Sequence, residues 1–519
     1  MLKYNIIPKP NNYTSLEGTY VVSSSTAVLC SEDFVNAGNY LTEYLKTKPT
    51  ENGGSIKIKK VAGMERDAYS LKVSNDGIVI NASDSCGAFY GAVTLKIILM
   101  QANKVDGKAV VNCLFIDDKP VYGYRGVMVD ESRHFFGMDV IKEILDVLAM
   151  LKINTFHWHL SDDQGFRIES KLFPLLNEIS STRKYAGLEG CTLKHRGGEY
   201  SFFYTQEEIK EIVAFAKKLN INVLPEIDLP GHMTAVLAAY PQYGCTGKDY
   251  EVACQNGIFD AVLCAGSEDA LDFVDKLLGE ICPLFDYKYF HIGGDEASEG
   301  HKLWNKCPKC TAVMEKQGLK NASALQGYYM SQVNNILKKY GKTTIAWNDC
   351  INDDFDESIV CQYWILSNSK DVDAQSYKRD MILSPHTYFY FDVKYASTSL
   401  KKVYNFNEVK IGFGKSGQRV LGIECEHWTE WIDSKTALEF AMFPRVFAMA
   451  EVAWTALPNR RFKDFKKRLE WFKTYLDKKD IYYSRVDGKK HGTANAVHYH
   501  LGTDGKEFKK SESIKNANK

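Results

Sequence analysis

The sequence predicts an α/β protein in which a (β/α)8 TIM barrel follows a small α+β domain, and three observations support this. From Tyr124 onward, short β-type runs alternate with amphipathic helical patterns, which favours a parallel sheet. Eight candidate strands occupy roughly 330 residues, a length within the range of such a barrel with insertions. Polar and aromatic residues follow the candidate strands, where this fold carries its functional groups.

The 519-residue chain has the composition of an ordinary globular protein and a balanced charge. Apolar residues make up 45% and charged residues 25%, and Lys+Arg and Asp+Glu number 65 each. A chain of this length usually forms two or more domains. Without a basic excess or an apolar run long enough to cross a bilayer, we expect neither nucleic acid nor a membrane as a partner, and the oligomeric state stays open.

The cysteines and the first residues predict a cytoplasmic location. The 13 cysteines are an odd number and are scattered without the spacing of a disulfide framework, which is typical of reduced thiols. The first five residues, Met1–Asn5, lack the apolar run of a secretory signal. Both observations favour the cytosol.

Cys307 and Cys310 form a C-x-x-C pair, which has the spacing of half a zinc site. Zinc needs a second pair of ligands, and Cys245, Cys254 and Cys264 are too far apart in sequence to suggest one. A redox role would need a different fold context. We therefore expect no metal and no cofactor, and we interpret the pair as part of a loop beside a helix.

Residues 1–119 are predicted to form the small α+β domain. Asn75-Asp76-Gly77 is a hairpin signal, and Cys86–Gln101 has the apolar spacing of a helix. No catalytic constellation occurs here, so we expect a supporting domain. Its candidate strands are Thr19–Val22, Ser55–Lys60, Tyr69–Val73 and Gly77–Ile80.

Residues 120–480 carry the predicted barrel, and the polar, Lys-rich residues 481–519 are expected to form a frayed or disordered tail. Asp139 is expected to cap the first barrel helix. A doubly wound open sheet is the alternative, but no Gly-rich phosphate-binding loop supports it. Further helices are predicted at Glu207–Leu219, Leu271–Ile281 and Ala322–Tyr340. The eight candidate strands are Tyr124–Val129, Asn154–Leu160, Asn222–Ile227, Tyr289–Ile292, Thr344–Trp347, Ile359–Trp364, Met381–Ser384 and Val420–Glu424.

The segment Tyr289–Ala297 begins as a strand, continues through Gly293-Gly294 and ends on the adjacent carboxylates Asp295 and Glu296. Neighbours in a regular strand point to opposite faces, but an irregular end after two glycines can aim both carboxylates at one pocket. Carboxylates held together have separated pKa values, which suits the cleavage of a glycosidic bond. The alternatives are a solvated loop and the Gly-Gly-Asp-Glu core of cyclic-dinucleotide synthases, for which no nucleotide-binding context is present.

Other polar and aromatic residues also follow candidate strands. Arg133 could fork onto two sugar hydroxyls or form a local salt bridge. His232 follows the third strand and could hydrogen-bond Asp162 and so tune a nearby acid, or it could be purely structural. The residues at or just past strand ends are Asp130, Asp162, Asp163, Asp228, Asp295, Glu296, Trp347, Trp364 and Glu424.

Two aromatic features belong to the same strand ends. His157 and His159 share one face of the second strand, where a metal pair is conceivable, but hydrogen-bonded core histidines are the favoured interpretation because no third ligand is evident. Trp347, Trp364 and Trp428 each lie at or just past a strand. Indole faces stack on the apolar faces of sugar rings, so three tryptophans at matching positions favour a sugar pocket.

Together these motifs resemble glycoside hydrolase family 20, the β-N-acetylhexosaminidases. The resemblance covers most of the chain and implies a (β/α)8 barrel behind a small α/β domain. The segments that carry it are Ile7-Pro8-Lys9-Pro10, Gly87-Ala88-Phe89-Tyr90-Gly91, Ser132-Arg133-His134-Phe135, His159–Gln164, Pro230-Gly231-His232, His291–Glu296, Trp428-Thr429-Glu430, Phe443-Pro444-Arg445 and Ala450-Glu451.

The resemblance implies a role for each matching residue. Glu296 matches the general acid, and Asp295 and Tyr390 match the residues that hold the substrate's 2-acetamido group, whose carbonyl attacks the anomeric carbon in place of an enzyme nucleophile. Asp162 and His232 resemble the pair that supports the acid. The residues that resemble binders of the sugar are Arg133, Trp347, Trp364, Asp392, Trp428 and Glu430.

The activity implied is exo-acting, retaining hydrolysis of terminal β-linked GlcNAc or GalNAc from oligosaccharides or glycoconjugates through an oxazoline intermediate, with no cofactor. A catalytically silent sugar-binding protein of the same fold is the second possibility, although the intact Asp295, Glu296 and Tyr390 argue against it. The sequence leaves open the choice between GlcNAc and GalNAc and the group to which the sugar is linked.

Overall fold

The computed structural model describes residues 3–23, 25–47, 55–189, 197–352, 355–365, 379–413 and 419–485. Within these residues a mixed sheet is followed by a closed barrel, so the predicted fold class is confirmed. None of the described helices combines the length and the apolar character needed to cross a membrane.

The first sheet has seven strands in the order β1-β7-β4-β5-β3-β2, with β6 paired to β7. The predicted hairpin is present, because Ser74 pairs with Gly77 across a two-residue turn. The helix Ser85–Met100 packs on this sheet, and Asp84 caps it by accepting a hydrogen bond from the Gly87 amide. The strands are Asn12–Val22 (β1), Val28–Cys30 (β2), Ile56–Lys60 (β3), Tyr69–Ser74 (β4), Gly77–Ala82 (β5), Asn103–Val105 (β6) and Lys108–Asp118 (β7).

Eight parallel strands close into the barrel, and all eight predicted strands are confirmed to within one or two residues. Two short hairpins interrupt the alternation after the second barrel strand: Ser161–Asp162 (β10) with Gly165–Phe166 (β11), and Thr182–Arg183 (β12) with Tyr200–Ser201 (β13). The barrel strands are Tyr124–Asp130 (β8), Thr155–His159 (β9), Asn222–Glu226 (β14), Tyr289–His291 (β15), Thr343–Trp347 (β16), Val360–Tyr363 (β17), Met381–Leu383 (β18) and Val420–Cys425 (β19).

Helices surround the barrel and bury their apolar faces against it. The helix Gln206–Lys218 begins with a complete capping box between Thr205 and Glu208. The expectation that Asp139 caps the first barrel helix is wrong, because Gly137 occupies the cap position and Asp139 lies in the first turn. Among the residues that the structure describes, the other barrel helices of at least seven residues are Met138–Met150, Glu268–Ile281, Ser298–Trp304, Pro308–Gln317, Ala322–Lys339, Lys435–Met442, Arg445–Trp454 and Phe462–Lys478.

The two domains meet through buried ion pairs near the N-terminal ends of the barrel strands. Arg125, the second residue of β8, lies 3.2 Å from Asp67. Lys152, just before β9, contacts Asp118 at 3.4 Å and the Tyr69 hydroxyl at 2.9 Å. Buried charges require such partners, so these contacts fix the first domain at the end of the barrel away from the strands' carboxyl ends.

Two predicted features differ from the fold. From residue 486 onward the predicted polar tail lies outside the described residues. Its first residues differ from the prediction, because Ile481 and Ser484 are buried and the Ser484 amide donates to the Phe443 carbonyl. The expectation that Cys307 and Cys310 lack partners is also wrong. Cys245 and Cys264 lie beside them, because the loops after β14 and β15 pack together.

Candidate active site

Asp295 and Glu296 project into one pocket because the chain leaves β15 irregularly. The φ angles of Gly293, Gly294 and Glu296 are 61°, 93° and 50°, in the region that favours glycine. A Cβ on Gly293 would lie 1.8 Å from the Asp228 carboxylate, so no larger residue fits there. The two glycines thus produce the geometry that the sequence predicted for adjacent carboxylates.

The pocket at the carboxyl ends of the barrel strands has a volume of about 190 Å³. Pockets that hold drug-sized ligands span roughly 300–1,000 Å³, so this one accommodates about one sugar ring. Of the predicted site residues, only Asp162 and Trp347 do not line it. The lining residues are Arg133, His232, Asp295, Glu296, Trp364, Tyr390, Asp392, Trp428 and Glu430.

His232 connects a buried carboxylate pair to the two pocket acids. Its Nδ1 lies 3.1 Å from both Asp162 Oδ1 and Asp163 Oδ2. Its Nε2 faces the pocket, 3.8 Å from Asp295 Oδ2 and 3.6 Å from Glu296 Oε2. Burial alone would lower the pKa of His232, but the surrounding carboxylates raise it well above its usual range. An imidazolium therefore stands beside both acids.

Asp295 has the properties of an acceptor in need of a donor. Burial raises its pKa to about 7, partly offset by His232 and reinforced by neighbouring carboxylates. Its Oδ1 is buried and has no hydrogen-bond partner among the described residues. A buried acceptor without a partner is costly, so a ligand that brings an N–H or O–H to this atom is favoured.

Glu296 is the more exposed of the two acids, with 33% of its side chain accessible against 13% for Asp295. Burial raises its pKa, and Asp349 raises it further, whereas His232 opposes the shift. A carboxyl group with a raised pKa at the mouth of a pocket can hold a proton near neutral pH and donate it to a departing group.

Aromatic rings form the walls of the pocket. Tyr390 stacks on Trp364 with 6.0 Å between ring centroids and lies 6.3 Å from Trp428. Trp347 lies beneath the pocket: it is 1% exposed, donates from Nε1 to Glu226 at 2.9 Å, and contacts the ring of Trp428. Trp347 therefore supports the Trp428 wall from behind and does not itself line the pocket.

Both parts of the chain match known protein families. Residues 3–119 match the model described as glycosyl hydrolase family 20, domain 2, and residues 122–457 match glycosyl hydrolase family 20, catalytic domain. The chain belongs to glycosyl hydrolase family 20. Among curated relatives, a β-hexosaminidase of Porphyromonas gingivalis is 33% identical over 92% of this chain, and one of Vibrio furnissii is 31% identical over 86%. The chain spans 64% and 76% of the lengths of these two proteins.

Solved structures of family 20 enzymes have the same architecture. An exo-β-N-acetylglucosaminidase of Vibrio harveyi in complex with N-acetylglucosamine superposes with a TM-score of 0.82 at 30% identity, covering 92% of this chain and 78% of that one. A Streptomyces plicatus N-acetyl-β-hexosaminidase in complex with Thio-NAglucal superposes at 0.79 with 29% identity, covering 93% and 96%.

Arg133 of this family 20 chain makes salt bridges and also lines the pocket. Its guanidinium contacts Asp130 at 3.1 Å and Asp162 at 2.7 Å, and lies 5.3 Å from the ring centroid of Trp428. The local salt bridge considered for this residue is thus present, and it orients a charged group towards the cavity. Beside it, burial and the nearby Glu430 raise the pKa of Asp392 to about 7.

Asp349 is a site residue that sequence reasoning missed. Its Oδ2 accepts the Glu296 amide at 3.0 Å, and its Oδ1 accepts the Trp364 indole at 2.8 Å. It therefore fixes both an acid and a wall of the pocket. Burial raises its own pKa. The available signal was its position two residues after β16, because other site carboxylates also follow barrel strands.

A second missed feature lies below the pocket. The Glu226 carboxylate contacts three strand histidines. It lies 2.7 Å from His291 Nδ1 and 3.2 Å from His157 Nε2, and it also pairs with His159 Nδ1. His159 in turn lies 2.9 Å from Asp162. The histidines of β9 are thus hydrogen-bonded to carboxylates, as the favoured interpretation expected, and this buried network supports the residue that holds His232.

Proposed function

We propose that this family 20 chain is an exo-acting β-N-acetylhexosaminidase. It removes terminal, non-reducing, β-linked N-acetylglucosamine or N-acetylgalactosamine with retention of configuration, using the substrate's 2-acetamido group as the nucleophile. The observation that carries the proposal is the buried Oδ1 of Asp295, which no described residue hydrogen-bonds, next to the acid Glu296 in a pocket for about one sugar ring. The relatives named β-hexosaminidase and the V. harveyi complex with N-acetylglucosamine support it.

In the proposed reaction, Asp295 accepts a hydrogen bond from the acetamide N–H, and the Tyr390 hydroxyl donates to the acetamide oxygen. Trp364, Tyr390 and Trp428 enclose the group and hold its carbonyl beneath the anomeric carbon. As the bond to the leaving oxygen breaks, Glu296 donates its proton and an oxazolinium ion forms. Asp295 balances the positive charge that develops on the acetamide nitrogen.

In the second half of the reaction, the ionised Glu296 takes a proton from water, and the oxygen of that water attacks the anomeric carbon. The acetamide oxygen leaves, the oxazoline opens, and the β configuration is restored after two inversions. His232 stays protonated throughout because the carboxylates around it, Asp162 first among them, raise its pKa, and its positive charge stabilises each pocket carboxylate as it ionises.

Exo action follows from the size of the pocket. A cavity of about 190 Å³ among the described residues holds about one ring, which favours a terminal sugar over an internal one. Arg133, Asp392 and Glu430 supply both donors and acceptors for those hydroxyls. Glu296, the more exposed acid, faces the side where the leaving group remains in solvent.

The decisive experiment follows chromogenic β-glycosides by NMR and absorbance. We expect turnover of the N-acetylglucosaminide, a first product in the β configuration, and almost no turnover of the matching glucoside, which lacks the nucleophile. Inversion at the anomeric carbon would overturn the mechanism, and binding without turnover would indicate a sugar-binding protein. Undiminished activity in a chelator would exclude the magnesium-dependent nucleotide chemistry that Gly-Gly-Asp-Glu suggests.

The natural substrates and the compartment remain predictions. A panel of defined oligosaccharides, with the released sugar followed by mass, would distinguish N-acetylglucosamine from N-acetylgalactosamine and identify the linkage. The predicted cytoplasmic location rests on the scattered thiols of the 13 cysteines.

A further inference from the structure

Four cysteine sulfurs meet between the loops that follow β14 and β15. The Sγ atoms of Cys245, Cys264, Cys307 and Cys310 all lie within 4.8 Å of one another. The distances are 3.8 Å from Cys245 to Cys310, and 3.7 Å from Cys264 to both Cys307 and Cys310. Three of the four side chains are buried, and none of these cysteines lines the sugar pocket.

These distances have the dimensions of a metal site and exclude disulfides in this arrangement. A disulfide joins its sulfurs at about 2.05 Å. Four thiolates placed tetrahedrally about 2.3 Å from a Zn²⁺ ion lie about 3.8 Å from each other, which follows from the geometry of a tetrahedron. Tetrahedral sites with four sulfur ligands are typical of zinc and of iron–sulfur centres, and zinc is the usual occupant of closed structural sites.

The backbone around the sulfurs is shaped to bring the two halves together. The Cys264 amide donates to the Tyr243 carbonyl at 2.8 Å, and Gly244 pairs with Leu263, which brings the segment of Cys245 alongside the segment of Cys264. Cys307 occupies the N-cap position of the helix Pro308–Gln317 without a side-chain cap hydrogen bond, and Cys310 lies in its first turn, so one helix start carries both sulfurs.

Gly266 allows the close approach of the two halves. A Cβ at this position would lie 2.3 to 2.4 Å from backbone atoms of Lys309 and Cys310, so no other residue fits without moving the loop.

We propose that Cys245, Cys264, Cys307 and Cys310 bind one structural Zn²⁺ ion as four thiolates. On binding, each thiol that is still protonated releases its proton to solvent, and no electron is transferred. The ion acts as a cross-link between two loops that are distant in sequence. The proposal does not depend on the reaction assigned to the pocket, and its test is the metal itself.

The cross-link lies next to both catalytic loops. Leu263, beside Cys264, donates its amide to the Pro230 carbonyl at 3.0 Å, two residues before His232. The Leu263 carbonyl accepts the Trp304 indole at 2.9 Å, in the helix that follows Glu296. A zinc ion at this place therefore holds the loop of His232 against the segment that carries Glu296.

The experiment measures the metal content of the full chain after purification and a wash with a weak chelator. We expect about one zinc per chain in the unaltered protein and less than about a tenth in the Cys307→Ser/Cys310→Ser variant. Cys254→Ser is the matched control, because Cys254 is half-buried in the same loop but contacts the Val252 carbonyl, and it should keep the full zinc content.

Cobalt gives a second readout that does not require a folded double variant. Co²⁺ added to the metal-depleted, unaltered protein should produce a thiolate-to-cobalt charge-transfer band and the intense visible bands of a tetrahedral site. Folded, unaltered protein without zinc and without these bands would overturn the proposal. Three other results would also overturn it. These are bound iron, disulfides among the four cysteines in non-reducing peptide mass analysis, and zinc that the double variant retains.

Discussion

Asp295→Asn should weaken catalysis and strengthen the fold at the same time. The substitution keeps the shape of the side chain and removes its negative charge. In the proposed mechanism the lost charge is the partner of the acetamide N–H in the transition state. Removing one such preorganised group costs about 10²- to 10³-fold in kcat, or roughly 3–4 kcal/mol. We expect a loss of that size in kcat/KM for the N-acetylglucosaminide.

The opposite effect on stability follows from the pKa of Asp295. Burial raises this pKa from 3.8 to about 7, so the unfolded chain releases the proton more easily than the folded one. The free energy of unfolding therefore falls as the pH rises from about 4 to about 7, and this loss stays constant at higher pH. The shift corresponds to about 4 kcal/mol in the free energy of unfolding. Asp295→Asn should therefore raise the free energy of unfolding by much of this amount at pH 8 and by almost nothing at pH 4.

The assay combines urea unfolding at pH 4, 6 and 8 with kinetics over the same range. Asp433→Asn is a matched control, because burial raises the pKa of Asp433 to about 6 and its side chain does not line the pocket. It should raise stability at pH 8 and leave kcat/KM unchanged. If Asp295→Asn lowered stability at pH 8, or if its kcat/KM fell less than tenfold, the assigned environment and role would be refuted.

Three other substitutions test neighbouring groups. Glu296→Gln should abolish cleavage of natural substrates but affect substrates with good leaving groups less, because only proton donation is lost; equal losses would contradict the acid role. His232→Ala should lower kcat and shift the pH–rate profile while the circular dichroism spectrum is unchanged; aggregation would instead indicate a structural histidine. Asp349→Asn should move the basic limb of the profile to lower pH, because Asp349 raises the pKa of Glu296, and an unmoved limb would exclude this coupling.

The parts of the fold that were predicted from sequence are those encoded locally. The alternation of short β-type runs with amphipathic helices predicted all eight barrel strands, because apolar strand residues are buried throughout and each helix buries one face. Asp295 and Glu296 could be placed in one pocket because Gly293-Gly294 permits the backbone that the pocket needs.

A thiazoline that mimics the cyclic intermediate should bind much more tightly than N-acetylglucosamine, as measured by inhibition.

The misses concern orientation and contacts between distant residues. Trp347 occupies the predicted strand end, but its indole turns into the barrel to reach Glu226, and nothing in the local pattern specifies that direction. Asp349 gains its role from the Glu296 amide, 53 residues away in sequence. Asp139 has the side chain of a typical cap residue, yet the cap position lies two residues earlier, at Gly137.

The four cysteines show most clearly why spacing rules failed here. Those rules describe small domains in which both ligand pairs lie on one short segment. In a barrel, β14 and β15 are paired neighbours, so the loops that follow them touch although a whole helix and strand separate them in the chain. Cys245 and Cys264 lie on the first of these loops, and Cys307 and Cys310 on the second. In this fold, ligand pairs should therefore be sought one βα unit apart, on loops that follow adjacent strands.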